Sequence, residues 1–282
     1  MPELPEVETI KRRLAEVLPS KQLARITVFA PKSFGGTPEE LQGQKITSVW
    51  RRAKLLGITF DSGLYLVTHL KMTGQLIYVY GQHRLGGGHP TADWTHSLPS
   101  KHTRISYFFS DDSQLHFNDQ RLFGWMRVFD EAALKTELAS LGPDINDPAL
   151  TADYLYAQLQ RRGIPLKVAL MSNDIVCGVG NIYACDALNL ANLSPFRPAK
   201  SLRFDEVEQL LQAAQTVIAR GIDMNGTTFD GKYLTVDGMA GNYQERVLAY
   251  GRENEPCYNC GALIKKAKLA GRGTYYCDNC QI

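Results

Sequence analysis

Four of the chain's six cysteines close the sequence in the pattern Cys257-x2-Cys260-x16-Cys277-x2-Cys280. Few sequence features restrict a fold as tightly. Two Cys-x2-Cys pairs supply four thiolates, the full ligand set of a tetrahedral zinc ion, and a spacer of this length lets two knuckles face one metal. A four-sulfur site leaves no open coordination position, so one structural Zn2+ is expected and not a catalytic one. The spacer carries Lys265, Lys266, Lys268 and Arg272 and no acid. Such a basic hairpin either lies solvated or meets a phosphate backbone. Cys177 and Cys185 stand apart in mid-chain; on a shared helix they would lie about 12 Å apart, too far for a disulfide.

Upstream, the hydrophobic period divides the chain. Val7, Ile10, Leu14 and Val17 recur at helical spacing after Pro5. Strand-like runs follow at 24–30, 45–50, 55–60, 64–70, 75–80, 103–110 and 114–118, the last two flanking the turn Ser110-Asp111-Asp112-Ser113. Short strands with turn signals predict an antiparallel sandwich or barrel. Residues 81–101 are rich in Gly, His, Pro and Thr without periodicity, and Gly86-Gly87-Gly88 lacks the Lys-Ser/Thr of a phosphate loop, so a mobile surface loop is expected. Helical patterns take over at 131–141, 151–162, 166–171, 181–191 and 204–222. The expected class is α+β, divided into a β domain (1–130), a linker (131–150), a helical domain (151–250) and a zinc finger (251–282). No apolar run is long enough to span a bilayer, and the start Met-Pro-Glu-Leu-Pro-Glu lacks a secretory h-region. A reducing cytoplasm is the expected compartment.

Several local groups could carry chemistry. Removal of Met1 would leave Pro2 as a secondary amine, and an α-amino group titrates near pH 7.7–8.0, so a useful fraction is nucleophilic at neutral pH. Glu3 and Glu6 offer proton donors beside it, although Pro and Glu also make an ordinary helix start. With Met1 retained, Pro2 is a tertiary amide and no nucleophile. Gly178-Val179-Gly180-Asn181 leads into a helix, where Asn is a good cap and exposed amides form an anion site, or is simply a turn. Lys54 lies at a basic hairpin tip and His69 near the end of a strand; either is as readily solvated or packed as functional. Arg121 and Phe123, two residues apart, would project the same way, a geometry suited to filling a gap in a base stack.

Taken together, these motifs resemble the bacterial formamidopyrimidine-DNA glycosylase family. The resemblance runs along essentially the whole chain: PELPEVET, RRAK, HLKMTGQL, FNDQRLFG, VCGVGNIYACDAL, GTT, AYGR and AGRGT. It implies a β-sandwich flanked by helices, a helix-two-turns-helix domain and a zinc finger, with DNA in the cleft between halves. It also implies a monomeric enzyme of the bacterial cytoplasm that removes oxidised purines from double-stranded DNA and cuts at abasic sites by β,δ-elimination. Pro2 would be the nucleophile and Glu3 the general acid, with Glu6 and Lys54 beside them. Lys54, His69, Asn181 and Arg272, with Tyr250 as a further candidate, would hold phosphates. Met72, Arg121 and Phe123 would enter the duplex once the base is everted. The 226–243 segment would include a loop over that base; it keeps Gly-Thr-Thr but then departs from the family's usual run, which bears on substrate choice. The 81–101 segment is longer than the family usually carries. The sister family acting on oxidised pyrimidines and a lesion-binding homologue without catalysis are the alternatives.

The formal net charge is only +2, a value that by itself argues against a strongly basic nucleic-acid binder. The cations are instead grouped locally, at the zinc hairpin and at Arg51, Arg52 and Lys54.

Overall fold

Helix α1 (Leu4–Val17) begins just after Glu3 and buries Val7, Ile10 and Leu14, as the apolar spacing predicts; Leu4 is buried too, while Val17 is only half-buried. The fold is that of a computed structural model, which describes residues 2–88, 97–227 and 241–282. These residues fall into two compact units, one within Met1–Ala139 plus Met224–Asn242, the other within Ser140–Asp223 plus Tyr243–Ile282. No helix among the described residues is long and apolar enough to cross a membrane.

The first unit holds two five-stranded sheets. One contains β1 (Leu23–Val28), β6 (Gly74–Tyr80), β7 (His83–Gly88), β8 (Thr103–Phe109) and β9 (Gln114–Asp119), in the order β1-β8-β9-β6-β7. The other contains β2 (Phe34–Gly35), β3 (Ile46–Arg52), β4 (Leu55–Phe60), β5 (Tyr65–His69) and β10 (Trp125–Phe129), in the order β2-β10-β5-β4-β3. Alternate residues of both, among them Leu56, Ile58, Leu66, Leu76, Leu115 and Phe117, share one apolar core with Val7, Ile10 and Leu14 of α1. This is the sandwich that the period-2 runs predict. Helix α2 (Glu131–Leu138) follows β10, capped by the Asp130 side chain.

The 81–101 segment departs from the expected surface loop. Its first part is β7, paired with β6 along His83–Gly88. The glycines are there because the backbone is crowded: a Cβ on Gly87 would lie 2.4 Å from the Ile10 side chain, and one on Gly86 1.9 Å from the Leu76 carbonyl oxygen. The last three residues of this strand have no side chains to alternate, and only Leu85 among the first three is apolar, so hydrophobic periodicity is blind to it. Residues 89–96 lie outside the described residues. Strands β2 and β10 also carried no readable period, being short and adjoining irregular chain.

Buried on β9, His116 is held by Ser106 Oγ at 2.7 Å and Gln114 Oε1 at 3.0 Å. Burial, with the Arg84 charge second, pushes its pKa from 6.5 down to about 4. The folded state therefore binds fewer protons than the unfolded chain between those values, and stability falls as pH drops through that window. Replacing His116 by Gln should reduce the slope of unfolding free energy against pH there by up to about 1.4 kcal/mol per pH unit. Denaturant midpoints between pH 4 and 7 check this; an unchanged slope would show that His116 titrates normally.

The second unit is helical. It contains α3 (Ala152–Leu159), α4 (Leu166–Leu170), α5 (Asn181–Leu190) and α6 (Phe204–Asp223), close to the ranges read from sequence. Strands β11 (Lys265–Leu269) and β12 (Arg272–Tyr276) form the hairpin between the cysteine pairs. Cys177 precedes α5, so the two mid-chain cysteines do not share a helix; both are buried free thiols.

Candidate active site and nucleic-acid interface

In the first unit, Pro2 and Glu3 are both buried, Glu3 at 3% exposure. Glu3 is the N-cap of α1, and its backbone N–H donates to Glu6 Oε2 at 2.8 Å while its side chain meets the Glu6 backbone. The other Glu6 oxygen accepts from Thr227 N–H at 2.8 Å and Thr227 Oγ1 at 3.0 Å. With both oxygens accepting hydrogen bonds, Glu6 acts as a clamp. It ties the start of α1 to Thr227, the last described residue before 228–240, where the expected base-covering loop falls outside the described residues.

Lys54 sits in the two-residue turn between β3 and β4, buried at its base. The turn is fixed from α1. Glu8 Oε2 accepts from Arg51 Nε at 3.0 Å, and Arg51 also donates to the Ala53 carbonyl at 2.8 Å. Burial opposes the Glu8 charge, but hydrogen bonds from Arg51 and Arg12 hold its pKa below the usual carboxylate range. Ala53 takes the left-handed backbone conformation, φ +55°, that the tight turn imposes. Leu55 pairs with His69 on β5, which brings the Lys54 turn beside that histidine. Burial, then the Lys71 and Lys54 cations, push the His69 pKa down to about 3. Its Nδ1 accepts the Lys71 N–H at 3.0 Å, so the neutral ring carries its proton on Nε2 and offers a donor to a phosphate oxygen.

Met72 and Phe123 are 42% and 54% exposed, and the Arg121 guanidinium lies 4.7 Å from the centre of the Phe123 ring. Large apolar groups this exposed, one of them stacked against a cation, suit entry into a base stack.

In the second unit, the cap of α5 is Gly180 and not Asn181. Asn181 is the first helical residue, and its side chain is used elsewhere: Oδ1 accepts from Lys167 Nζ at 2.5 Å, and Nδ2 donates to the Gly273 carbonyl at 3.0 Å. Lys167, on α4, also donates to Thr274 Oγ1 at 2.8 Å. The start of α5 and the strand carrying Arg272 are thereby bound to one buried ammonium. Sequence reasoning missed Lys167; the signal was a lone lysine inside the apolar run Leu166–Leu170. It likewise missed Asp186, whose buried carboxylate accepts from the N–H groups of Leu248, Ala249 and Tyr250 and from Tyr243 Oη, at 2.9–3.0 Å. That cradle sets Tyr250, whose ring packs on Tyr275 with centroids 5.0 Å apart.

The sulfurs of Cys257, Cys260, Cys277 and Cys280 lie within 4.8 Å of one another. Zn–S bonds of about 2.3 Å at tetrahedral angles separate sulfurs by about 3.8 Å. The Cys260–Cys277 and Cys257–Cys280 pairs, at 3.5 and 4.0 Å, fit one structural zinc. The spacer cations are less free than the sequence implies. Lys265 pairs with Asp278 and Lys266 with Glu253, acids outside the spacer. Lys268 and Arg272 have no ion pair among the described residues.

The comparisons with known proteins agree along the chain. Three family models match in order: the formamidopyrimidine-DNA glycosylase N-terminal domain at residues 1–126, its H2TH domain at 141–232, and the zinc finger found in FPG and IleRS at 254–282. The formamidopyrimidine-DNA glycosylase of Exiguobacterium sp. is 38% identical and that of Pelotomaculum thermopropionicum 36%, each alignment covering all of this chain and 99% of the relative. The MutM (Fpg) protein of Thermus thermophilus superposes with a TM-score of 0.86 at 34% identity, over 99% of this chain and 98% of that one. A Lactococcus lactis FPG mutant in complex with Fapy-dG-containing DNA superposes with a TM-score of 0.88 at 27% identity, over 99% of both chains. The chain belongs to the formamidopyrimidine-DNA glycosylase family.

Proposed function

We propose that this protein excises oxidised purines from double-stranded DNA and then cuts the strand, with the Pro2 nitrogen, freed by removal of Met1, as nucleophile and Glu3 as general acid. The observation that carries the reading is the reciprocal Glu3–Glu6 cap, which holds a nearly buried carboxyl group next to Pro2. The solved Lactococcus lactis relatives bound to Fapy-dG or abasic-site DNA support the substrate class.

The chemistry follows from the amine. The Pro2 lone pair forms a bond to C1′ as the C1′–N bond breaks, its electron pair leaving with the base. Glu3 protonates the ring oxygen as the sugar opens, giving an iminium after the nitrogen loses its proton. That cation is an electron sink, so the C2′ proton becomes acidic and its loss expels the 3′ phosphate; the conjugated iminium then acidifies the C4′ proton, and its loss expels the 5′ phosphate. Water finally hydrolyses the imine and frees Pro2. One nucleophile thus accounts for base release and strand scission. His69, Lys54, Asn181, Arg272 and Tyr250 are the proposed phosphate contacts, and Met72, Arg121 and Phe123 the inserted trio.

Excision from duplexes carrying 8-oxoguanine or thymine glycol, compared under single-turnover conditions, tests the substrate choice. Faster release of 8-oxoguanine is expected; faster pyrimidine release would reassign the protein to the sister activity.

A further inference from the structure

We infer that Asp119 is the positioning residue that holds Met72, Arg121 and Phe123 in their inserting arrangement before DNA is bound. This rests on the reading above that the trio enters the duplex. Asp119 ends β9 and is fully buried, at 0% exposure. Its Oδ1 accepts from the Thr73 hydroxyl and from Arg121 N–H, the latter at 3.2 Å. Its Oδ2 accepts from Gly124 N–H at 2.7 Å. Thr73 closes the link by accepting from Arg121 N–H at 3.1 Å.

These partners flank the trio. Thr73 follows Met72, Arg121 is itself a member, and Gly124 follows Phe123. One carboxylate therefore ties together two loops separated by 46 residues between Thr73 and Asp119. The second loop is shaped around it. Leu122 is held at φ +59°, a conformation that needs its surroundings to enforce it. Gly124 has no room for a side chain, since a Cβ would lie 2.8 Å from the Phe117 ring and 3.2 Å from Asp119 Oδ2. Arg104 Nε anchors the Asp119 carbonyl from β8 at 2.7 Å. The outcome is a rigid base beneath exposed apolar side chains. Such a wedge enters a base stack without first losing loop entropy, so more of its contact energy offsets the unstacking of the bases.

The prediction concerns insertion and not bond-making. In Asp119→Asn the volume is kept, but an amide presents one acceptor atom in place of two, so the Arg121 or the Gly124 N–H faces an NH2 group. Thr73→Val removes the hydroxyl link more gently. Excision of 8-oxoguanine from a duplex should slow by about tenfold or more in each variant, a loss of about 1.4 kcal/mol. The fluorescence rise of a 2-aminopurine placed beside the lesion should slow in parallel. Borohydride trapping on a single-stranded abasic oligonucleotide, which has no stack to enter, should stay within about twofold of wild type. Equal losses on both substrates, or unchanged duplex excision and insertion rates in a folded Thr73→Val variant, would overturn the assignment. Thermal melting of both variants identifies misfolding, and Thr73→Val decides the matter if Asp119→Asn does not fold. Wild-type protein that neither excises nor traps would sink the functional reading and leave these loop contacts untouched.

Discussion

Glu3→Gln is expected to lower excision of 8-oxoguanine from intact duplex DNA by about 10²–10⁴-fold, the usual worth of a positioned general acid. The change is nearly isosteric. A glutamine keeps a carbonyl oxygen to accept the backbone N–H of the first turn, so the start of α1 should survive, and only the transferable proton is lost. The contrast lies in the substrate. A preformed abasic site has no base to expel, and the Pro2 amine can still condense with its aldehyde, so borohydride trapping should persist. Pro2→Gly should behave differently again, trapping weakly through a primary amine. Mass analysis of the trapped species must show protein lacking Met1. Normal release of 8-oxoguanine by Glu3→Gln would remove Glu3 from the acid role, and an adduct on protein that retains Met1 would remove Pro2 from the nucleophilic one.

The second large effect is expected from the metal. The apolar cluster of the zinc module consists of buried Ala249, Cys257, Ile264 and Cys277 with Ala262, Tyr275 and Cys280 partly buried against them, far too small a core to fold by apolar burial alone. Structural zinc contributes an apparent 10–16 kcal/mol, roughly, to the folding of small finger peptides. Stripping it with a chelator, or replacing the buried Cys277 by Ser, should unfold the β11–β12 hairpin. Arg272 would go with it, and so would the Gly273 and Thr274 acceptors that fix Lys167 and Asn181. Affinity for lesion-containing duplex should fall by at least about tenfold, with a shallower salt dependence as phosphate contacts disappear. Elemental analysis should find about one zinc per wild-type chain and none in the stripped protein. Full DNA affinity in a zinc-free sample would show that the finger is dispensable.

Much of the architecture could be read because its causes are local. Period-2 runs became the sandwich strands, 3.6-period runs became the helices within a few residues, and the cysteine spacing brought four sulfurs together. The failures share one physical origin. Gly86, Gly87 and Gly88 are glycines in a strand because the Leu76 carbonyl, Ile10 and the Gly74 carbonyl leave no room for their side chains, a fact about neighbours distant in sequence. Asn181, a good cap by type, yields that position to Gly180 because Lys167 and Gly273 claim its amide. Two of the four spacer cations are paired with acids that lie outside the spacer.

The sequence alone therefore determined the family, the fold class, the metal and the residue types available for catalysis, because these depend on local pattern and on motifs in order. The buried polar groups behind those residues belong to the tertiary structure: Glu6 against Thr227, Glu8 through Arg51 to the Lys54 turn, Lys167 beneath Asn181, and Asp119 between the loops that carry Met72, Arg121 and Phe123. A polar side chain is accommodated in a protein interior only where donors or acceptors from several segments converge on it. That convergence has no signature in a linear chain. The terminal cysteine pattern is the opposite case, since four thiolates at the right spacing need only one ion to bring them together.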